Sequence, residues 1–249
     1  MSADPLFDRR VTVATACRIL GRRGLVDGVL GHVSARVDAT SLLVRCRGPE
    51  ERGVALTEPT DIRLVDFDGN HLEASEGWHV PKELPIHTAV LRADAAAGAV
   101  VHAHPRSALL CGLARLPLAA VFGAYNIPAL HLAAGGVPVY ERSVLISRRE
   151  LADEMVAAMG DRRVVLLRGH GITVAGDTVE QATVRAVDLE ELCRVTVELA
   201  ALGAHVDVVP ERDRAELPDL GSAFNDQLHW QALVAEVLRG ERGERRDVG

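Results

Sequence analysis

Two short apolar runs in this sequence each lead directly into histidine, and they constrain the fold more than any other feature. The first is Ala99–His104, which ends in His-Ala-His and is stopped by Pro105. The second is Val164–Leu167, which is followed by Arg-Gly-His-Gly over residues 168–171. Short runs rich in valine and leucine, bounded by proline or glycine, predict buried strands. Both predicted strands therefore end in histidine.

Helices and further short strands are predicted around these two runs. The clearest helix starts at Asp177, whose carboxylate is expected to cap it while Glu180 completes a capping box, and it ends at Gly203. Its apolar residues recur every three or four positions, so one face packs on a sheet or another helix. The other predicted elements are helices at 11–20, 83–92, 147–159 and 222–238, and strands at 33–37, 42–46 and 62–65. The fold class is an α/β or α+β mixture.

Length and composition predict one large domain and exclude several classes of function. The chain has 249 residues, 48% of them hydrophobic, which is enough for a substantial core. We expect residues 1–210 to form the domain, and residues 211–249 to form a helix and a solvated charged tail. The net charge of −7 and the aromatic content of 3% argue against binding nucleic acid.

The cellular setting is inferred from the cysteines and from the apolar segments. The four cysteines are far apart and form no C-x-x-C pair, which is typical of buried thiols in a reducing compartment. The first residues are acidic and polar, and no apolar run is long enough to span a bilayer. These features predict a cytoplasmic protein without a membrane partner, acting on a small molecule.

Three histidines are candidates for metal ligands. His102 and His104 are two residues apart on a strand, so their side chains point to the same face. His170 lies between two glycines, which allow close approach of the backbone. Three histidines around a divalent ion leave a coordination position open for catalysis. The alternative is that they are hydrogen-bonded core residues.

A glutamate and a fourth histidine precede the first of these strands. Glu83 and His87 are four residues apart on a predicted helix, so both can face one cavity. A carboxylate beside a metal either binds it or moves protons. The alternative for Glu83 is a favourable interaction with the helix dipole at the first turn.

Taken together, these motifs closely resemble the class II aldolase and adducin family. The resemblance covers roughly Thr15 to Gly203. Its motifs are Gly-His-Val-Ser-Ala-Arg at 31–36, Glu-Leu-Pro-Ile-His at 83–87, Val-Val-His-Ala-His-Pro at 100–105 and Leu-Arg-Gly-His-Gly at 167–171. It implies a three-layer αβα fold around a mixed, largely antiparallel sheet, assembled as a homo-oligomer, usually a C4 tetramer.

The resemblance also implies roles for individual residues. His102, His104 and His170 would bind one divalent metal ion per subunit, and Glu83 would be the fourth ligand or the acid/base. Zinc, manganese, iron and cobalt all suit such ligands. Tyr125 lies in the segment from which the aldolases of the family reach into a neighbouring subunit with a tyrosine proton donor.

The departures from the family's sugar-phosphate pattern bear on the substrate. Where the aldolases hold phosphate with small polar residues, this chain has His32, Glu58, and Pro-Lys before Glu83. The pattern around residues 78–87 looks more like the decarboxylase branch of the family, which acts on hydroxylated aromatic ortho-dicarboxylates such as 3,4-dihydroxyphthalate in aromatic catabolism. The alternatives are an aldolase for a non-phosphorylated hydroxy-keto acid or sugar, and a non-catalytic assembly module like adducin.

The candidate contacts to the carboxylate substrate are one lysine, two arginines and two histidines. They are Lys82, Arg36, Arg168, His32 and His87. The three cations would bind carboxylates, although each is also a common surface charge or ion-pair partner. His32 stands where the family has asparagine and would hydrogen-bond the substrate.

Overall fold

A seven-stranded sheet forms the centre of the computed structural model, which describes residues 4–204 and 207–247. The strands are β1 (His32–Arg36), β2 (Ser41–Arg45), β3 (Ile62–Asp66), β4 (Ala99–Ala103), β5 (Val139–Tyr140), β6 (Val164–Leu167) and β7 (Gly171–Gly176). Their order is β3-β2-β1-β4-β7-β6-β5. Only β5 and β6 pair in parallel, and the other neighbours are antiparallel. The expected mixed, largely antiparallel sheet is confirmed.

Helices cover both faces of this sheet. They are α1 (Phe7–Arg22), α2 (Leu84–Ala93), α3 (Arg106–Ala114), α4 (Ile127–Ala133), α5 (Arg149–Met159), α6 (Val179–Ala201), α7 (Glu211–Arg214) and α8 (His229–Asp247). Apolar side chains of α1, α3, α4 and α6 form one core with the sheet, and those of α2 and α5 form a second core on its other face. The architecture is therefore three-layered, αβα, as expected.

The alternation of side chains along β4 decides which face carries the histidines. Val101 and Ala103 belong to the core on the α1 and α6 side, whereas Val100 belongs to the core on the α2 and α5 side. Successive side chains of a strand point to opposite faces, so His102 lies on the α2 side. His32 of β1 pairs directly with His102, and the two share that face.

Some elements were not predicted from the sequence. β7 begins directly after His170, but it starts and ends in glycine, which weakens a strand pattern. The helices α3 and α4 are short, and α4 carries Pro128 in its first turn. These three elements therefore lack the periodicity on which the predictions depend.

The structure corrects the predicted start of α6 and the predicted end of α8. The cap of α6 is Thr178, whose hydroxyl accepts the amide of Gln181 (3.2 Å), while Asp177 pairs with Arg163 (3.2 Å). The prediction that Asp177 caps the helix was wrong, because the helix begins at Val179 and Thr178 therefore occupies the N-cap position. The backbone of α8 is helical to Asp247, past the predicted end of this helix, because glutamate and arginine favour helix. The division of the chain after residue 210 stays a prediction.

The structure shows the state of the cysteines and of the apolar segments. All four cysteines are buried and unpaired. Within residues 4–204 and 207–247, no helix combines the length and the apolar character needed to cross a bilayer.

Candidate metal centre and active site

His102 occupies the centre of the candidate site, near the end of β4. Its side chain is fully buried, and its Nδ1 is 3.0 Å from the carbonyl oxygen of Ile172 on β7. A carbonyl only accepts, so Nδ1 carries the proton in this contact and Nε2 of the neutral ring carries the lone pair. This is the arrangement in which a histidine is held ready to bind a metal ion.

His104 follows the last residue of β4 and turns back towards His102. The Nε2 atoms of the two rings are 2.9 Å apart, and the ring centroids are 4.8 Å apart. Burial, followed by the neighbouring histidines, lowers the pKa of His104 to about 3. Both rings are therefore neutral near pH 7, which is the form that binds metals.

His170 is placed by the two glycines that flank it. Gly169 has a φ of 64°, and a Cβ on Gly171 would lie 2.1 Å from the carbonyl oxygen of Ala103. The turn between β6 and β7 thus lies directly against the end of β4. The ring centroid of His170 is 4.9 Å from that of His102 and 4.7 Å from that of His104. The three predicted histidines do come together.

Glu83 completes the group from the residue before α2. Its Oε1 accepts the backbone amide of Ile146 (2.9 Å), and its Oε2 is 3.4 Å from the Nε2 atoms of both His102 and His170. Burial alone would raise the pKa of Glu83, but the contacts with these two histidines outweigh it and hold that pKa well below its usual range. Glu83 is therefore an anion, and the amide of Ile146 fixes one of its oxygens.

The chemistry and spacing of these four side chains fit a divalent metal ion. One ligand atom from each of Glu83, His102, His104 and His170 lies within 4.8 Å of all the others. Ligands about 2.1 Å from a tetrahedral ion are about 3.4 Å apart, which agrees with the distances from Glu83 to its two histidine neighbours. Three imidazoles and one carboxylate can thus hold a metal ion here.

A second group of buried polar side chains lies beside this cluster. The Nδ1 of His32 is 2.6 Å from the Nε2 of His87, and the Nδ1 of His87 is 2.6 Å from the hydroxyl of Ser34. The ring centroid of His32 is 5.0 Å from that of His102. Burial lowers the pKa of His87 to about 3 and that of His32 well below its usual value, so both are neutral.

The two predicted substrate-binding arginines are engaged elsewhere. Arg36 donates to the carbonyl oxygens of Ala97 (2.9 Å), Asp94 (3.1 Å) and Leu91 at the end of α2. It therefore ties α2 to β1. Arg168 donates to Glu141 (3.1 Å), which also pairs with Arg115 (3.3 Å). The structure does not bring either arginine into the histidine cluster.

Lys82 and Tyr125 are exposed. Lys82 directly precedes Glu83, and among the described residues it has no hydrogen bond or ion pair. Tyr125 is 71% exposed, and its hydroxyl donates to Glu191 (2.8 Å). Lys82 therefore directly precedes a cluster residue in sequence, and its charge has no partner among the described residues, whereas Tyr125 lies on the outer surface.

Sequence reasoning missed two groups that support the site. Ser34 is two residues from His32 on β1, and this spacing on a strand was a signal that both share a face. The amide of Ile146 that fixes Glu83 is a backbone group in a loop, and no sequence pattern marks it.

Comparison with known proteins agrees with this geometry. The family model described as the class II aldolase and adducin N-terminal domain matches residues 11–197. Over 92% of its length, the chain is 51% identical to a 3,4-dihydroxyphthalate decarboxylase of Arthrobacter keyseri, of which it covers 93%. It is 50% identical, over 92% of its length, to a 3,4-dihydroxyphthalate decarboxylase of Terrabacter sp. (strain DBF63), of which it covers 96%.

Solved structures agree on the fold. An aldolase II superfamily protein from Pseudomonas syringae superposes with a TM-score of 0.80 at 22% identity, covering 96% of this chain and 95% of the other. The family match extends over most of the chain and includes all four side chains of the cluster. The chain therefore belongs to the class II aldolase and adducin N-terminal domain family.

Proposed function

We propose that the protein is a metal-dependent decarboxylase of a hydroxylated aromatic ortho-dicarboxylate such as 3,4-dihydroxyphthalate. The observation that carries this proposal is the cluster of Glu83 and three histidines, in a chain half identical to two proteins named for that activity. Both the family and these relatives indicate a carbon–carbon lyase. A role in aromatic catabolism follows from such a substrate.

The metal ion is proposed to be one divalent ion per subunit, with zinc, manganese, iron and cobalt as candidates. When bound, it would supply a Lewis acid that stabilises negative charge on an oxygen of the substrate. His102, His104, His170 and Glu83 would hold it. The carbonyl of Ile172 orients the ring of His102, and the amide of Ile146 orients the carboxylate of Glu83.

Lys82 is proposed to bind the substrate carboxylate that is retained. It is the only lysine in the sequence, it is exposed, and it lies next to Glu83 at the start of α2. The positive end of the dipole of α2 also favours an anion there. Arg36 and Arg168 are the weaker candidates because their guanidinium groups already have protein partners.

The chain's own contacts argue against a sugar phosphate as substrate. Glu58 stands where the family's aldolases have a small polar residue, and it caps the short helix Pro59–Asp61 with its charge exposed. If this carboxylate faces the substrate in the assembled protein, it would repel a phosphate dianion more than a monoanion. This supports a carboxylate substrate over a phosphorylated one.

The assembly is proposed to be a homo-oligomer, with a C4 tetramer as the expected form. Tyr125 supports this proposal because it is 71% exposed on the surface rather than near its own subunit's cluster. In a tetramer it would complete the site of a neighbouring subunit. Light scattering on the purified protein measures the mass, and a Tyr125→Phe variant that keeps full turnover would contradict the catalytic role of the hydroxyl.

A substrate panel tests the proposed function. The metal-loaded protein is incubated with 3,4-dihydroxyphthalate, a hydroxypyridine ortho-dicarboxylate, a non-phosphorylated hydroxy-keto acid and a sugar phosphate. Carbon dioxide release is measured against pyruvate or aldehyde release. We expect carbon dioxide from the first two only. Aldehyde release from the hydroxy-keto acid would favour an aldolase, and a protein without bound metal or turnover would favour an adducin-like assembly module.

A further inference from the structure

The pair of buried histidines beside the cluster ends in one unengaged nitrogen. His87 uses both ring nitrogens, one on Ser34 and one on His32, at 2.6 Å each. His32 uses only Nδ1, and among the described residues its Nε2 has no hydrogen-bond partner. His87 and Ser34 are fully buried, and His32 is 7% exposed. The three groups form a line that ends beside His102.

This line has two neutral proton arrangements. If the hydroxyl of Ser34 accepts from His87, then His87 accepts from His32, and the Nε2 of His32 presents a lone pair. If the hydroxyl donates to His87, then His87 donates to His32, and the Nε2 of His32 carries a proton. Both contacts are kept in either case. The line therefore lets His32 either accept or donate a proton at Nε2 while its ring stays fixed.

The other groups at the site are less suited to proton transfer. One oxygen of Glu83 accepts the amide of Ile146, and the other lies 3.4 Å from the Nε2 atoms of two clustered histidines, where it would serve as a metal ligand. Lys82 and Tyr125 are exposed and lie outside the histidine cluster. Among the described side chains next to the cluster, His32 alone combines burial, a fixed ring and an unengaged nitrogen.

We infer that His32 is the acid/base residue of the reaction, and that His87 and Ser34 position it. This inference rests on the proposed decarboxylation. The Nε2 of His32 takes the proton from the substrate hydroxyl next to the leaving carboxylate, and then gives that proton to the ring carbon that bears the carboxylate. The bond to the carboxylate carbon breaks, its electron pair restores the aromatic ring with negative charge on the oxygen, and carbon dioxide leaves. The oxygen takes one proton from solvent on release.

The test compares His32→Asn and His32→Gln with the wild-type holoenzyme. Turnover of 3,4-dihydroxyphthalate, metal content and affinity for the decarboxylated product are measured. Exchange of the product's ring hydrogen in deuterium oxide, followed by NMR, reports proton transfer without decarboxylation. We expect turnover and exchange to fall together by at least ~100-fold, as for loss of a general acid/base. Metal content is expected to be unchanged, and product affinity to change less than ~3-fold. His131→Asn, on the surface, is the matched control.

The positioning role of His87 is tested separately, by measuring kcat, KM and ring exchange. A His87→Gln variant is expected to lower kcat and ring exchange by about 10-fold with little change in KM, since His87 is fully buried and both of its ring nitrogens are engaged within the protein. Ser34→Ala is expected to act in the same direction with a smaller effect. We compare only those variants that bind metal and keep the wild-type circular dichroism spectrum.

Several outcomes would overturn the inference. Ring exchange within ~3-fold of wild type in both His32 variants would remove the acid/base role while the proposed function stands. Loss of the metal in both variants would make His32 a support of the cluster instead. If the wild-type holoenzyme releases no carbon dioxide from any dicarboxylate, the proposed function fails, and this inference fails with it.

Discussion

At the scale of single residues, the two carboxylate oxygens of Glu83 have different neighbours. One oxygen accepts the amide of Ile146, and the other lies 3.4 Å from two imidazoles. A glutamine at this position keeps an oxygen for the amide but loses the negative charge. The carboxylate therefore matters mainly as an anionic ligand.

We expect Glu83→Gln to lower metal affinity by at least ~10-fold and to remove most of the turnover, while the fold is retained. The reason is that a neutral amide is a weaker ligand for a divalent ion than a carboxylate. Elemental analysis after dialysis, together with carbon dioxide release, measures both effects. Full metal occupancy with lost turnover would instead indicate that Glu83 moves the proton.

Lys82 is expected to act on substrate affinity alone. A charge-assisted contact contributes roughly 1.5–3 kcal/mol, so Lys82→Ala should lower kcat/KM by on the order of 10- to 100-fold without loss of metal. Arg212→Ala removes an exposed cation of α7 and is the control. Equal kcat/KM for the Lys82 variant and the control would exclude this role.

The individual residues of the cluster were predictable to different degrees. The strand alternation and the flanking glycines pointed to His102, His104 and His170, since these are local patterns. The partners of His32 were not predictable in this way, because His87 reaches it from a helix 55 residues away in sequence. Likewise, no local pattern shows that Arg36 is bound by the carbonyls at the end of α2.

At the scale of elements, the turn between β6 and β7 decides whether the third histidine reaches the cluster. A Cβ on Gly171 would lie 2.1 Å from the carbonyl oxygen of Ala103, and backbone atoms of both strands would have to move. The long helix α6 was predicted from its periodicity, and the strand β4 from its apolar run before Pro105. β7 was not, because glycines at both of its ends obscure the pattern.

We therefore expect Gly171→Ala to destabilise the protein by about 1–3 kcal/mol or more, and to weaken metal binding through displacement of His170. Gly123→Ala is the matched control, since a Cβ there meets no atom within 4 Å. Denaturant unfolding and metal titration measure the two effects. Equal stability of the two variants would mean that β4 and the turn are not in close contact.

At the scale of the whole molecule, the cluster joins elements from distant parts of the chain. Its ligands come from the start of α2, the end of β4 and the turn before β7. A bound ion would therefore link both halves of the sheet. A ligand that binds only the folded state stabilises it by about 2.7 kcal/mol at a hundredfold excess over its Kd.

Removal of the metal with a chelator is expected to lower the Tm by roughly 5–10 °C and to abolish turnover, and re-addition should restore both. The matched control is His102→Ala, whose Tm should not respond to metal or chelator. Scanning calorimetry at fixed protein concentration measures the shift. A metal-free preparation with full activity would contradict the proposed cofactor.

The metal-free protein should also lose stability as the pH falls, because its core contains neutral histidines. The pKa values of His87 and His104 are about 3 in the folded state, against about 6.5 for an unfolded chain. Between these values the unfolded state binds more protons, so protonation favours unfolding. The stability is complete above about pH 6.5 and is lost progressively towards pH 3, with a limiting slope of about 1.4 kcal/mol per pH unit for each histidine.

Replacing one of these histidines tests this pH dependence. Denaturant unfolding of the metal-free protein between pH 7 and 5 gives the slope for wild type, for His87→Gln and for the exposed control His131→Gln. We expect the slope of the His87 variant to be smaller, whatever its stability at pH 7, since the substitution removes a site that is protonated in the unfolded state but not in the folded state. The control should keep the wild-type slope. Equal slopes in all three proteins would mean that His87 is not a buried neutral histidine in solution.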